Sequence, residues 1–283
     1  MTFKSNAKRY TEQQCKDLFA AVLADDVIEV DTWFPDQIHL DYTQEQLIEC
    51  FQICHQVWAE GFIPKEFDGM IKKLYQQRSF TAEEQLTYKH VRAKFKQLRF
   101  AFANFDEKHK YPFAFNAITV LMGTLQDAFK NGQPTLVGRY AQLLRIFLTK
   151  IPVGFINREM NCFKPCSVYA FRQHVNKGIV FIRQRLVKTE VTGREFHSIR
   201  KIISRQASFY VALTVLYPSK YHSDVFRYLS TINGMMGRMN DVLVEKELSG
   251  TLDYHKDLIQ IPDDIKQYLQ VVVDKYAHLT PQS

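Results

Sequence analysis

Residues Phe196-His-Ser-Ile-Arg-Lys-Ile-Ile-Ser-Arg205, with Met236-Gly-Arg-Met-Asn-Asp241 downstream, decide the fold, because the chain carries this arrangement twice. The earlier copy is Tyr88-Lys-His-Val-Arg-Ala-Lys-Phe-Lys-Gln-Leu-Arg-Phe100, followed by Met122-Gly-Thr-Leu-Gln-Asp127. Each copy is a basic stretch, a break, and a segment with Met-Gly and an Asp four positions after the Gly. In the first copy Val91, Phe95, Leu98 and Phe102 stand at i, i+4, i+7 and i+11, which predicts a helix over 82–105. A helix–break–helix unit that recurs argues for a repeated helical architecture.

The same period of about 3.6 residues extends outward from these stretches. It predicts helices over 12–24, 44–59, 65–77, 113–130, 135–149, 167–188, 195–216, 222–246 and 262–277. Thr43 with Gln46 offers a capping box for the second of these. Asn131-Gly132 is a stop signal after 113–130. Residues 151–166 hold two prolines and Gly154 and read as a connector. No alternating strand pattern emerges. The fold class is therefore all-α, with a bundle architecture.

Composition agrees. Of 283 residues, 46% are hydrophobic and 24% charged, with only 11 Gly and 9 Pro, which excludes collagen-like, linker-rich and low-complexity chains. No apolar run approaches the ~18 residues of a membrane span. The first residues carry charge and no apolar core of a secretory signal. Five cysteines, an odd number, fit a reducing compartment better than a disulfide framework. The expectation is a soluble cytoplasmic protein. The net charge of +7 is unevenly spread: residues 139–220 hold 15 Lys+Arg against 3 Glu, whereas residues 1–80 hold 8 Lys+Arg against 13 Asp+Glu. Eighty residues nearly without acids point to a polyanionic partner.

The duplicated pattern resembles the CHAD family, the conserved-histidine α-helical domain, whose signature is a His-x-x-Arg helix running into a Lys/Arg-rich stretch and then Leu-Gly-x-x-x-Asp, present twice. The resemblance covers about residues 44–277. His197 with Arg200 matches the His-x-x-Arg pair; Arg92, Lys96 and Arg99 match the arginine and later cations of the first copy; Gly123 with Asp127 and Gly237 with Asp241 match the last motif. Lys89 stands where the first histidine belongs, and Ser204, Ala207 and Ser208 thin the basic run after Arg200. The resemblance implies two antiparallel four-helix bundles related by pseudo-twofold symmetry. Half one is expected over 44–150 and half two over 151–283, with residues 1–43 as an acidic N-terminal segment that packs as an accessory. It further implies a basic groove between the bundles that binds inorganic polyphosphate, with association to polyphosphate granules.

The residues carry their own logic. Arg92, Lys96 and Arg99 share a helix face at i, i+4 and i+7, and His197, Lys201 and Arg205 share another, with Arg200 beside them. Cations in a row repel one another, so solvent, a carboxylate such as Asp127, or an anionic ligand must offset them. Arginine grips phosphate as a fork and lysine as a point charge. These seven residues are the expected polyphosphate-binding set. Gly123 and Gly237 cost helix stability unless a neighbour approaches closely, and Asp127 and Asp241 are expected to orient arginines. Cys50 and Cys54 fall on the apolar face with Leu47, Phe51 and Trp58 and read as small core hydrophobes; with the Cys162/Cys166 pair they make four thiols, but the spacing is not the compact Cys-x-x-Cys of zinc knuckles, so no metal and no cofactor is expected. Phosphate-loop, His-Glu-x-x-His and paired-carboxylate signatures are absent, so no catalytic residue is assigned and a non-enzymatic binder is expected. The alternatives are a nucleic-acid-binding helical protein and an accessory to a phosphate-metabolising enzyme.

Overall fold

The computed structural model describes residues 8–276, apart from the side chains of 150–153. Residues 1–7 of the acidic segment and the last residue of the helix expected over 262–277 lie outside the described residues. The described chain is mostly helical, with eleven helices and one two-stranded ladder. No helix among the described residues is long and apolar enough to cross a membrane.

The chain divides into two compact units. The first takes residues up to Val22 and Ile48–Cys166; the second takes Leu23–Leu47 and the chain from Ser167 onward. The division thus falls after Cys166 rather than at 150/151. The reason is local: Cys166 N–H donates to Phe105 O (2.8 Å), and Asp106 accepts from Lys164 N–H (3.0 Å), so the segment after the expected boundary is tied to the first unit. The first 43 residues contribute core side chains to both units. Leu18 is buried in the first, and Phe34, Ile38 and Leu40 in the second.

In the first unit the helices are α1 (Glu12–Leu23), α2 (Gln44–Gly61), α3 (Pro64–Gln77), α4 (Ala82–Phe105), α5 (Phe113–Lys130), α6 (Pro134–Phe147) and α7 (Lys150–Met160), with α1 and α2 each crossing the division. The expected box caps α2: Thr43 N–H donates to Gln46 Oε1 (2.8 Å) and Gln46 N–H to Thr43 Oγ1 (3.2 Å). Helix α7 corrects the connector reading of 151–166. Pro152 stands in its first turn, where a backbone N–H would have no intrahelical acceptor and proline is tolerated. The core is aromatic: Phe51 stacks on Phe163 with ring centroids 3.5 Å apart, and Phe95 stacks on Phe115 at 5.0 Å.

The second unit holds α8 (Val168–Leu186), α9 (Gly193–Leu216), α10 (Lys220–Leu248) and α11 (Asp263–Lys275). It also holds the ladder that the sequence reading missed, β1 (Val191–Thr192) against β2 (Leu258–Ile259), antiparallel, with Val191 opposite Ile259. Two residues per strand are too few to leave a period in the sequence. The ladder ends at Thr192, the N-cap of α9. Residues 23–47 are knitted in by Asn233 Nδ2 donating to Asp25 O (2.7 Å), Arg172 Nε donating to Leu40 O (3.1 Å) and the Lys275–Asp36 ion pair (2.8 Å).

Candidate functional site

Both motif helices are built alike. Helices α4 and α9 have 24 residues each, and each opens with a complete capping box, Thr81 with Glu84 and Thr192 with Glu195. The reciprocal bonds satisfy two N–H groups at each helix start and fix where each helix begins. Helix α4 packs on α5, and α9 packs on α10.

In the first unit a β-carbon placed on Gly123 would lie 3.1 Å from Nη2 of Arg92. In the second, a β-carbon on Gly237 would lie 2.9 Å from Nη2 of Arg200. Close approach was the expected reason for both glycines, and the approaching group is the motif arginine itself. Each guanidinium lies against the glycine of the neighbouring helix. Neither Arg92 nor Arg200 has a carboxylate partner among the described residues, and the Nε of Arg92 is buried without a hydrogen bond. Tyr88, one turn before Arg92, is fully buried and donates its hydroxyl to Met122 O (2.9 Å). Burial pushes the Tyr88 hydroxyl far up, while Arg92 pulls it down and Asp127 pushes it up. The counterpart of Tyr88 before Arg200 is Phe196, equally buried.

The remaining expected site residues divide. Arg99 does not stand free in a row. Its guanidinium carbon lies 5.0 Å from the Tyr111 ring centroid and 5.3 Å from that of Phe100, and Nη1 donates to Asn116 Oδ1 (3.4 Å). Burial lowers its pKa, as does Arg92 nearby, while Tyr111 acts in the opposite direction. Lys96 is half-buried, with its ammonium 5.9 Å from the Phe100 centroid. In the second unit Lys201 is exposed and His197 half-buried. Arg205 turns toward α8: a β-carbon on Gly178 would lie 3.8 Å from its Nη2. On α9 His197, Lys201 and Arg205 stand at i, i+4 and i+8, with Arg205 on the flank next to α8. Asp241 is exposed and pairs with no cation among the described residues, so packing on Gly237, rather than Asp241, positions Arg200.

Not every cation on α4 is available to a ligand. Lys94 donates to Gly61 O (2.8 Å), the last residue of α2, where a cation complements the helix terminus. In the second unit Glu195 gathers both Lys188 (2.9 Å) and Arg185 (3.4 Å). Lys89 and Arg194, both exposed, have no such partner among the described residues. The sequence reading missed Arg78, whose guanidinium occupies the space a β-carbon on Gly138 would need. The available signal was the one used at Gly123, a glycine inside a helical pattern. Cys50 and Cys54 are buried in the core, and Cys54 Sγ accepts from Gln97 Nε2 (3.4 Å), whereas Cys162 is exposed. Among the described residues no group of three or more His, Cys, Asp or Glu is placed to hold a metal ion. No family model, no curated protein and no solved structure matches this chain.

Proposed function

We propose that this chain is a CHAD-type protein that binds polyanionic phosphate without catalysis, with inorganic polyphosphate as its ligand. The observation that supports the reading is the doubled arginine: Arg92 packs against Gly123 and Arg200 against Gly237, and neither makes an ion pair among the described residues. A fixed guanidinium fork with uncompensated charge is a phosphate receptor. Exposed Lys89, Arg194 and Lys201 on the same two helices extend the positive field with residues that need no fixed register. A repeating phosphate chain suits such a surface, since each added unit meets another cation. We further propose that the two helix pairs are copies of one repeat, the basis of the expected pseudo-twofold relation.

The test is a chain-length and salt series. Affinity is expected to rise with polyphosphate length and to fall steeply with salt, by release of counterions. Replacing Arg92 and Arg200 together with Gln keeps helix propensity and is expected to weaken long-chain polyphosphate binding at least ~10-fold, about 1.4 kcal/mol, at unchanged melting temperature. Unchanged affinity in that variant would refute the site. DNA or RNA that outcompetes polyphosphate at equal phosphate concentration would transfer the reading to nucleic acid.

A further inference from the structure

Helix α3 ends at Gln77, and its cap is Arg78, with φ of 61° in the left-handed region where glycine or asparagine is favoured. An arginine kept in that conformation is held there by its surroundings. Its N–H donates to Leu74 O (2.8 Å), and its guanidinium carbon lies 4.6 Å from the Tyr75 ring centroid. The fork enters the space left by the missing side chain of Gly138 on α6, and Nη1 is buried with no hydrogen-bond partner. Arg139 follows Gly138 and is exposed. Neither arginine has an ion pair among the described residues. The same two helices do pair Arg145 with Asp68 (3.5 Å), so a carboxylate is supplied one side along and withheld here.

An open cleft of about 370 Å³ lies at this point, lined by Tyr75, Arg78, Thr135, Gly138, Arg139 and Gln142, with no acidic residue in its wall. The start of α6 adds donors. Gln133 gives no side-chain cap, Pro134 has no N–H, and the first intrahelical bond is Val137 N–H to Gln133 O (3.0 Å), so the N–H groups of Thr135 and Leu136 precede the ladder.

We propose that this cleft is a second anion site that takes a phosphate group through the forks of Arg78 and Arg139, with the Thr135 hydroxyl and the α6 N-terminus as neutral donors. Two uncompensated guanidiniums match the charge of a phosphate, and the fork geometry matches its oxygens. The volume exceeds that of one phosphate, so the group arrives attached to something: the end of a polyphosphate chain or a small phosphorylated compound. None of the Arg92 or Arg200 machinery lines the cleft, so the proposal stands independently of the polyphosphate reading.

Calorimetric titration of the full chain with pyrophosphate tests it. Arg78→Asn suits the left-handed cap, and Arg139→Gln changes an exposed side chain, so the fold is preserved in both. Each is expected to weaken pyrophosphate binding ~10-fold. Long-chain polyphosphate that loses affinity in the same two variants identifies chain ends as the source; polyphosphate affinity unaffected by them, with pyrophosphate still weakened, identifies a small phosphorylated ligand. No pyrophosphate binding to the parent protein at millimolar concentration, or equal binding by both variants and parent, overturns the proposal.

Discussion

The α4/α5 pair of the first unit and the α9/α10 pair of the second share a buried methionine, a glycine and an arginine laid on it, yet they differ in cation density. Counted from the arginine, Lys96 corresponds to Ser204 and Arg99 to Ala207. The reason is burial. Ser204 is 5% exposed and Ala207 0%, so an ammonium or guanidinium there would be stripped of water without a partner. On α4 the matching positions are half-buried, and Arg99 finds two aromatic faces. The second copy thins its basic run because α9 has no solvated face at those positions, while the arginine that lies on glycine persists in both. What the copies share is therefore the arginine laid on glycine, not the length of the basic run.

The severest way to break this comparison is to restore the missing cation. Ala207→Arg puts a charge at a fully buried position, and an uncompensated buried charge costs about 3–5 kcal/mol. A urea melt is expected to show that loss. A variant as stable as the parent would mean that the second copy lost its cations for some reason other than burial.

A second difference appears at high pH. Burial raises the hydroxyl pKa of Tyr210, Tyr221, Tyr228, Tyr254 and Tyr276 in the second unit, Tyr254 to about 12, against Tyr88 in the first. These groups stay protonated when folded and ionise near pH ~10 when unfolded. Their contribution is complete below pH ~10 and is lost as pH rises toward the folded values, at about 1.4 kcal/mol per pH unit for each fully buried proton. Tyrosinate absorbance followed with helical circular dichroism is expected to show both changes together, with the second unit opening first by limited proteolysis. Ordinary tyrosinate formation ahead of any loss of helix would contradict it.

How much of this was legible in the chain depends on which signal each element leaves. Helices α4 and α5 are bounded where the sequence places them, because periodicity marks both and Asn131-Gly132 stops the second. Helix α7 was read as a connector since prolines count as breakers until their position within a first turn is known. The pairing of arginine with glycine was half legible: the cost of a mid-helix glycine announces a close neighbour, but no spacing rule says that the neighbour is the motif's own guanidinium. Arg78 was signalled only through Gly138, a glycine inside a helical pattern, since a left-handed cap arginine has no compositional mark of its own, and helical spacing gave Arg205 a face without saying which neighbouring helix it meets.

A milder exchange turns the first copy into the second. Tyr88→Phe creates the arrangement of Phe196 and removes the hydroxyl bond to Met122 O. The expected loss is about 1 kcal/mol, the net worth of such a bond, measured as a shift of the urea midpoint. A loss above about 3 kcal/mol would mean that the hydroxyl also holds Arg92 in place.

The smallest effect is expected at the glycines, and it sharpens the comparison most. Gly123→Ala and Gly237→Ala each gain about 0.5–1 kcal/mol of helix propensity. Each also brings a methyl to 3.1 Å and 2.9 Å from an arginine Nη2. What must move is the far end of a flexible side chain, so the strain is small and the two terms nearly cancel. Stability is expected to stay within about 1 kcal/mol of the parent, with Gly237→Ala the less favourable because its contact is closer. Polyphosphate affinity is expected to fall nonetheless, several-fold, since the fork leaves its seat. Stability and affinity then separate: a glycine kept for helix contact would lose stability at constant affinity, whereas a glycine kept for its arginine loses affinity at constant stability. The second outcome at both positions would make the two copies one device, and the first at either would confine the anion site to the other unit.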